Sequence, residues 1–255
     1  MFVFCVANQK GGVGKTATAD ALAAYITKHY KIRTLAIDLD PQCNLTAAYG
    51  VNPYEKGLNV RDVLLGTVNA KDAITEARGP IIRGSMLLNA LEEVLKGPGR
   101  NLALKKALEP LASEYQAVVC DTAPGLSLAT INALFAADCV LIPALADVFT
   151  MQGIRELLAN VKFVQGQGEA LQVGGIFFTR HNPRGNVTQY AADKIKELAD
   201  SEGVTVFNGY VRECIAIKEA QAMSSDIFSY AKKSNAAADY ESVFNELFKN
   251  LNKEG

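Results

Sequence analysis

The chain has 255 residues and 49% hydrophobic content, enough to bury a full-sized core, and it reads as one compact domain over residues 1–255. Lysine and arginine total 26 against 27 aspartate and glutamate, so no bulk basic charge is available to hold a nucleic acid, and any such contact must come from a local patch. The five cysteines, Cys5, Cys43, Cys120, Cys139 and Cys214, form no CxxC pair and sit mostly in apolar runs, so buried reduced thiols are expected.

The first elements read as a strand over Phe2 to Ala7, a glycine loop, a helix beginning near Lys15, and a strand over Thr34 to Ile37 that ends at Asp38. The Phe2 to Ala7 run lacks a basic flank and is too short for a signal peptide. No other segment approaches the roughly 20 apolar residues of a bilayer span, so a cytoplasmic protein is expected. Gly50 to Gly84 is the least regular stretch and contains Pro53 and Pro80, which suggests a surface excursion with a short helix around Val60 to Leu65. Later apolar runs, Met86 to Leu88, Ala117 to Cys120, Cys139 to Ile142, Gly174 to Phe178 and Val204 to Phe207, alternate with segments of helical period. Met151, Ile154, Leu157, Leu158 and Val161 recur at helical spacing, as do Tyr240, Val243, Phe244, Leu247, Phe248 and Leu251. The expected fold is α/β: a mainly parallel, twisted sheet with helices on both faces.

Between the first strand and the first helix stands Gln9-Lys10-Gly11-Gly12-Val13-Gly14-Lys15-Thr16, followed by Ala17. Glycines there let successive backbone N–H groups turn inward around a phosphate, and the positive end of the helix adds to the attraction. Lys15 then reaches the β- and γ-phosphates, and the Thr16 hydroxyl offers one ligand to an octahedral Mg²⁺. ATP and Mg²⁺ therefore share one site. A glycine turn that merely starts a helix would not require Lys15 and Thr16 together.

Two carboxylates leave the second strand in Asp38-Leu39-Asp40-Pro41-Gln42, at the carboxyl edge of the sheet where open α/β folds bind ligands. An ordinary Asp-Pro turn is the plainer reading of Asp40. The run Ala117 to Cys120 delivers Asp121, followed by Thr122-Ala123-Pro124-Gly125, in the pattern of an apolar strand lifting one acid to a metal-bound water.

The loop departs from the strict phosphate-loop pattern, with Gln9 in place of glycine and an additional lysine at position 10. In this form it resembles the deviant Walker A of the ParA and MinD superfamily of P-loop ATPases. The resemblance extends over almost the whole chain, through Ala7-Asn8-Gln9, Asp38 to Thr46 and Thr130-Ile131-Asn132-Ala133-Leu134, with Asp-Pro-Gln-x-Asn the most discriminating segment. It implies that Lys10 crosses to a partner's nucleotide, that Asp40 orients the attacking water, and that Asp38 supports the metal or the switch geometry. Such a cation stabilises the transferring phosphoryl group only once an ATP-dependent homodimer has formed. A solvated loop lysine is the alternative for Lys10.

Within that superfamily the chain resembles partition ATPases of the ParA type, which implies nucleoid-associated, non-sequence-specific DNA binding and a ParB-like adaptor protein that speeds hydrolysis. Because the chain starts at its first strand, no operator-binding N-terminal region is expected. Arg184 falls at a matching DNA-contact position, and Arg212 and Lys218 extend the patch, as do Arg180, Lys232 and Lys233; each alone also reads as a solvated surface residue. Ala216 stands where many relatives carry arginine, with Glu213 and Glu219 nearby. The C-terminal helix mixes Glu241, Glu246 and Lys249 on its polar side and reads as core-packing, so no membrane partner is expected. Two rivals stay open: a MinD-like positioning ATPase acting on a membrane or protein scaffold, and a P-loop metabolic ligase.

Overall fold

The computed structural model describes residues 1–147, 149–181 and 186–252. In chain order the elements are β1 (Phe2–Val6), α1 (Lys15–Tyr30), β2 (Thr34–Leu39), α2 (Asn44–Ala48), α3 (Val60–Leu64), β3 (Ile74–Glu76), β4 (Pro80–Ile82), α4 (Leu91–Val94), α5 (Ala103–Leu108) and β5 (Ala117–Thr122). They continue with α6 (Leu128–Ala136), β6 (Cys139–Ala144), α7 (Thr150–Gly166), β7 (Gln172–Thr179), α8 (Asn186–Ser201), β8 (Val206–Val211), α9 (Ile215–Ala222), α10 (Ile227–Tyr230) and α11 (Asn235–Leu251). The strands form one eight-stranded sheet in the order β3-β4-β2-β5-β1-β6-β7-β8. Every neighbouring pair is parallel except β3 with β4.

Strand periodicity decides which side chain meets which layer. Cys5, Leu35, Ile37, Val118, Cys120, Val140, Ile142 and Ile176 face a core closed by α3, α5, α6, α7 and α8. Phe4, Val6, Ala36, Val119, Leu141 and Phe177 face the opposite core, where Leu22, Ile26, Tyr240, Val243 and Phe244 from α1 and α11 cover them. Both faces are thus buried, which is why the strands read as continuous apolar runs rather than alternating ones. The alanine-rich α1 stops at Lys31, whose φ of 56° is left-handed and cannot continue the helix.

The excursion from Gly50 to Gly84 is not confined to the surface. Its short helix forms, with Asn59 and Asp62 closing a reciprocal capping box, but Ile81 and Ile82 then enter the sheet fully buried beside β2. Pro80 stands at the first residue of β4, where a missing N–H is tolerated. Met86 to Leu88 reads as a strand from its apolarity but is a 3₁₀ turn over Met86–Ala90. Ser85 supplies a side-chain acceptor for the Leu87 N–H, and Met86 and Leu87 stay exposed while only Leu88 is buried.

The last strand runs to Val211, further than the Val204 to Phe207 run suggests. Its N–H groups at Asn208 and Gly209 donate to the Glu246 carboxylate of α11, so an edge that would otherwise be open is closed by a side chain. α11 packs its apolar stripe into the core as the spacing implies. Four of the five cysteines are buried and Cys214 is partly exposed, and none of the five is in a disulfide.

Candidate functional site

The loop after β1 is fixed by side chains before any ligand enters. Asn8 donates from Nδ2 to Pro143 O at 2.8 Å and accepts the Lys10 N–H at 2.9 Å, tying the loop to the end of β6. Val13 is fully buried, and its carbonyl accepts the Thr179 hydroxyl at 2.8 Å. Gly12 and Gly14 have φ of 72° and 84°, left-handed values that side-chain-bearing residues rarely adopt. Gly14 caps α1 with no side-chain hydrogen bond, and the first turn carries no acid. The helix therefore presents bare N–H groups and its positive end, which suits an anion.

Lys15 lies beneath this end, 6% exposed, with Nζ donating to Lys10 O at 3.0 Å. Burial lowers its pKa, while Asp121 and Asp40 pull the other way. β2 and β5 place Asp38 and Asp121 opposite one another in register, both with no exposed surface. Asp38 is satisfied: Oδ2 accepts from Thr46 N at 2.8 Å and Thr46 Oγ1 at 2.6 Å, and Oδ1 accepts from Asp40 N at 3.1 Å. Burial still pushes its carboxyl up to about 6, with the Thr46 and Asp40 donors opposing the shift.

Asp121 differs. Neither of its carboxylate oxygens has a hydrogen-bond partner of good geometry. Burial and then Asp38 raise its pKa well above the ordinary value, and the neighbouring Thr16 hydroxyl eases that only in part. An unpaired buried carboxylate is costly, and a divalent cation is what relieves it. The donor set of Thr16 hydroxyl and Asp121 fits Mg²⁺, which keeps waters and phosphate oxygens in its remaining positions. Among the described residues no group of three or more His, Cys, Asp or Glu forms an all-protein metal cage.

A cavity of about 720 Å³ opens over these groups, lined by Gly12, Gly14, Lys15, Thr16, Ala17 and Asp40 on its phosphate-loop side. Asp40 is 6% exposed and holds its turn through Oδ1, which accepts from Gln42 N at 2.9 Å. The far wall includes Arg212, Lys218 and Tyr240. Arg212 is committed to Asp239, with Nε donating to Oδ2 at 2.9 Å and Nη2 to Oδ1 at 2.6 Å. Lys218 is exposed at the same wall, and Arg184 lies outside the described residues. Of the expected basic residues, Arg180, Arg212 and Lys218 line the cavity, while Lys232 and Lys233 are exposed outside it.

Lys10 turns away from the cavity. Its ammonium pairs with Asp147 and lies 6.0 Å from the Phe149 ring centroid, and that ring is 80% exposed. Asp147 also opens α7, with Oδ1 accepting from Phe149 N, Thr150 N and the Thr150 hydroxyl at 3.0, 3.0 and 3.1 Å. Burial would raise the Asp147 carboxyl, but Lys10 and Thr150 outweigh it and hold it below its usual value. Sequence reading missed Asp147, Asp239 and Thr46. For Asp147 a signal existed, an Asp three residues before a Thr at the start of a helical period.

The profile of a family described as an AAA domain matches residues 1–173. The chain is 35% identical to the chromosome-partitioning ATPase Soj of Treponema pallidum, over 94% of each chain. Among solved structures it is similar to cobyrinic acid a,c-diamide synthase from Mycobacterium smegmatis with bound ATP analogue and magnesium. That match has 29% identity and a TM-score of 0.81 over 94% of this chain and 91% of the other. Cyanothece apo McdA shares the fold with a TM-score of 0.86 and 24% identity, over 97% of this chain and 99% of that one.

Proposed function

The chain belongs to the ParA/MinD/Soj superfamily of P-loop ATPases, and from that premise we propose that it is a partition ATPase whose DNA binding is timed by ATP. In this reading ATP and Mg²⁺ fill the cavity, two copies close with the nucleotides between them, and the dimer binds DNA without sequence preference. A ParB-like adaptor speeds hydrolysis and resets the state.

The observation that carries the reading is the pairing of an uncapped, acid-free helix start with the unpartnered Asp121 beside Thr16. The loop N–H groups grip the phosphates, and Lys15, already desolvated, meets the β- and γ-oxygens. Thr16 and Asp121 hold Mg²⁺, which neutralises charge on the phosphate oxygens when bound. Asp40, at the cavity wall, orients the attacking water. Lys10 leaves Asp147 and reaches the second copy's nucleotide, so full turnover requires the dimer.

Relatives named for chromosome partition support this reading at 35% and 32% identity. The likeness to a diamide synthase favours one alternative, a ligase that uses ATP to activate a small carboxylic acid. A membrane-bound positioning role has less support, because α11 commits its apolar face to the core. Electrophoretic retardation of non-specific duplex separates these readings. Salt-sensitive retardation with ATP and not with ADP is expected. ATP turnover that appears only with an added carboxylic acid, without DNA binding, would replace partition with ligation.

A further inference from the structure

Thr46 touches no part of the cavity, yet it holds more of the switch together than any other residue in α2. Its side chain has no exposed surface. The hydroxyl donates to Asp38 Oδ2 at 2.6 Å and accepts the Gly84 N–H at 2.8 Å. Its own N–H adds a second bond to Asp38 Oδ2 at 2.8 Å. One residue therefore joins the end of β2, the start of α2 and the backbone that follows β4.

The other Asp38 oxygen accepts the Asp40 N–H at 3.1 Å. A continuous relay results, from Gly84 N–H to the Thr46 hydroxyl, to the Asp38 carboxylate, to the Asp40 backbone. With those three donors Asp38 has little capacity left for a metal ion, in contrast to the unpartnered Asp121. The loop it anchors is wound tightly: Cys43 N donates to Asp40 O at 2.9 Å, and Cys43 has a left-handed φ of 53°. A side-chain-bearing residue keeps that conformation only where its surroundings over-determine it. On the far side, a Cβ added at Gly84 would sit 3.0 Å from both Asp38 Cγ and Cys43 Sγ, so the relay has no room to shift.

We infer that Thr46 is a positioning residue for hydrolysis: by clamping Asp38 between α2 and Gly84, it fixes the backbone that aims the Asp40 carboxylate at the cavity. The inference rests on the proposed role of Asp40 in orienting water. Loss of the hydroxyl leaves the phosphate loop intact, so ATP still binds. What suffers is the placement of Asp40, and misplacing a reacting group by a fraction of an ångström is enough to slow a reaction strongly.

Thr46→Val keeps the shape and removes the hydroxyl, and Thr46→Ser restores it. Thr46→Val is expected to lower kcat by about 10-fold or more, with the Kd for a non-hydrolysable ATP analogue and the KM for ATP unchanged. Thr46→Ser is expected to recover most of the rate. Gly84→Ala, which presses on the same relay from its other end, is expected to lower kcat with the same unchanged Kd, and it decides the matter if Thr46→Val does not fold. Asp40→Ala is measured beside them. If it keeps turnover, the proposed role of Asp40 fails. If it loses turnover while Thr46→Val or Gly84→Ala keeps the wild-type kcat, or if Thr46→Ser is as slow as Thr46→Val, the positioning role of Thr46 is overturned alone.

Discussion

Lys10 and Asp147, 137 positions apart in the chain, are joined as an ion pair through Asp147 Oδ2, while Asp147 Oδ1 accepts the Phe149 and Thr150 N–H groups where α7 begins. The lysine that distinguishes this phosphate loop is thereby held by its own subunit. In the proposed dimer it must exchange Asp147 for a partner's nucleotide, so this ion pair opposes closure. The side chains are 30% and 34% exposed, which keeps the pair weak enough to break.

Asp147→Asn removes the charge while leaving a side-chain oxygen to accept the Phe149 and Thr150 N–H groups. Thermal stability is expected to change little, and ATP-dependent dimerisation to strengthen by up to about 25-fold, about fivefold for the partly exposed pair that each of the two subunits gives up. Sedimentation across a concentration series with ATP measures this. A weaker dimer would mean that Asp147 supports Lys10 in the closed state instead of holding it back.

Lys218 is exposed on the cavity wall, whereas Arg212 is held there by Asp239 through Nε and Nη2. Lys218→Ala is therefore expected to weaken binding to all duplex sequences alike, and to lower the slope of log K against log salt by about 1 for each DNA phosphate left without its lysine. Arg212→Ala is expected to act first on ATP affinity. Filter binding at several salt concentrations, alongside a nucleotide titration, distinguishes the two outcomes.

Asp20 of α1 is paired with Arg78 from the turn between β3 and β4, and Arg78 stacks 4.3 Å from the Tyr49 ring centroid. Burial outweighs the arginine and pushes the Asp20 carboxyl from 3.8 to about 6. A carboxyl raised in the folded state binds its proton more tightly there than in the unfolded chain. Its contribution to stability is then greatest below pH 3.8 and is lost as pH rises towards 6. The stability of the wild type minus that of Asp20→Asn should fall across that window and flatten above it. Denaturation at a series of pH values gives the slope, and a rising difference would mean that Arg78 dominates.

The phosphate loop and its carboxylates were legible because local chemistry dictates them. Gly12 and Gly14 answer a backbone requirement, Lys15 and Thr16 follow at fixed offsets, and Asp38 and Asp121 each end an apolar strand. Groups whose partners are remote in sequence were not. Thr46 meets Gly84 across 38 positions, and nothing near Thr46 announces it. β4 was hidden because only Ile81 and Ile82 carry its apolar signal and Pro80 argues against a strand, while Met86 and Leu87 offered a stronger run that the sheet does not use. The basic residues were legible only as charges, since which of them is free depends on Asp239, 27 positions beyond Arg212.

The most direct measurement is a calorimetric titration of the Asp40→Ala protein with ATP and Mg²⁺, which records nucleotide uptake without turnover, with Lys15→Ala titrated in parallel. Saturable uptake is expected for Asp40→Ala, dependent on Mg²⁺ and abolished in Lys15→Ala. No heat of binding from a folded Asp40→Ala protein, or equal uptake by Lys15→Ala, would contradict a nucleotide held between the start of α1 and the ends of β2 and β5.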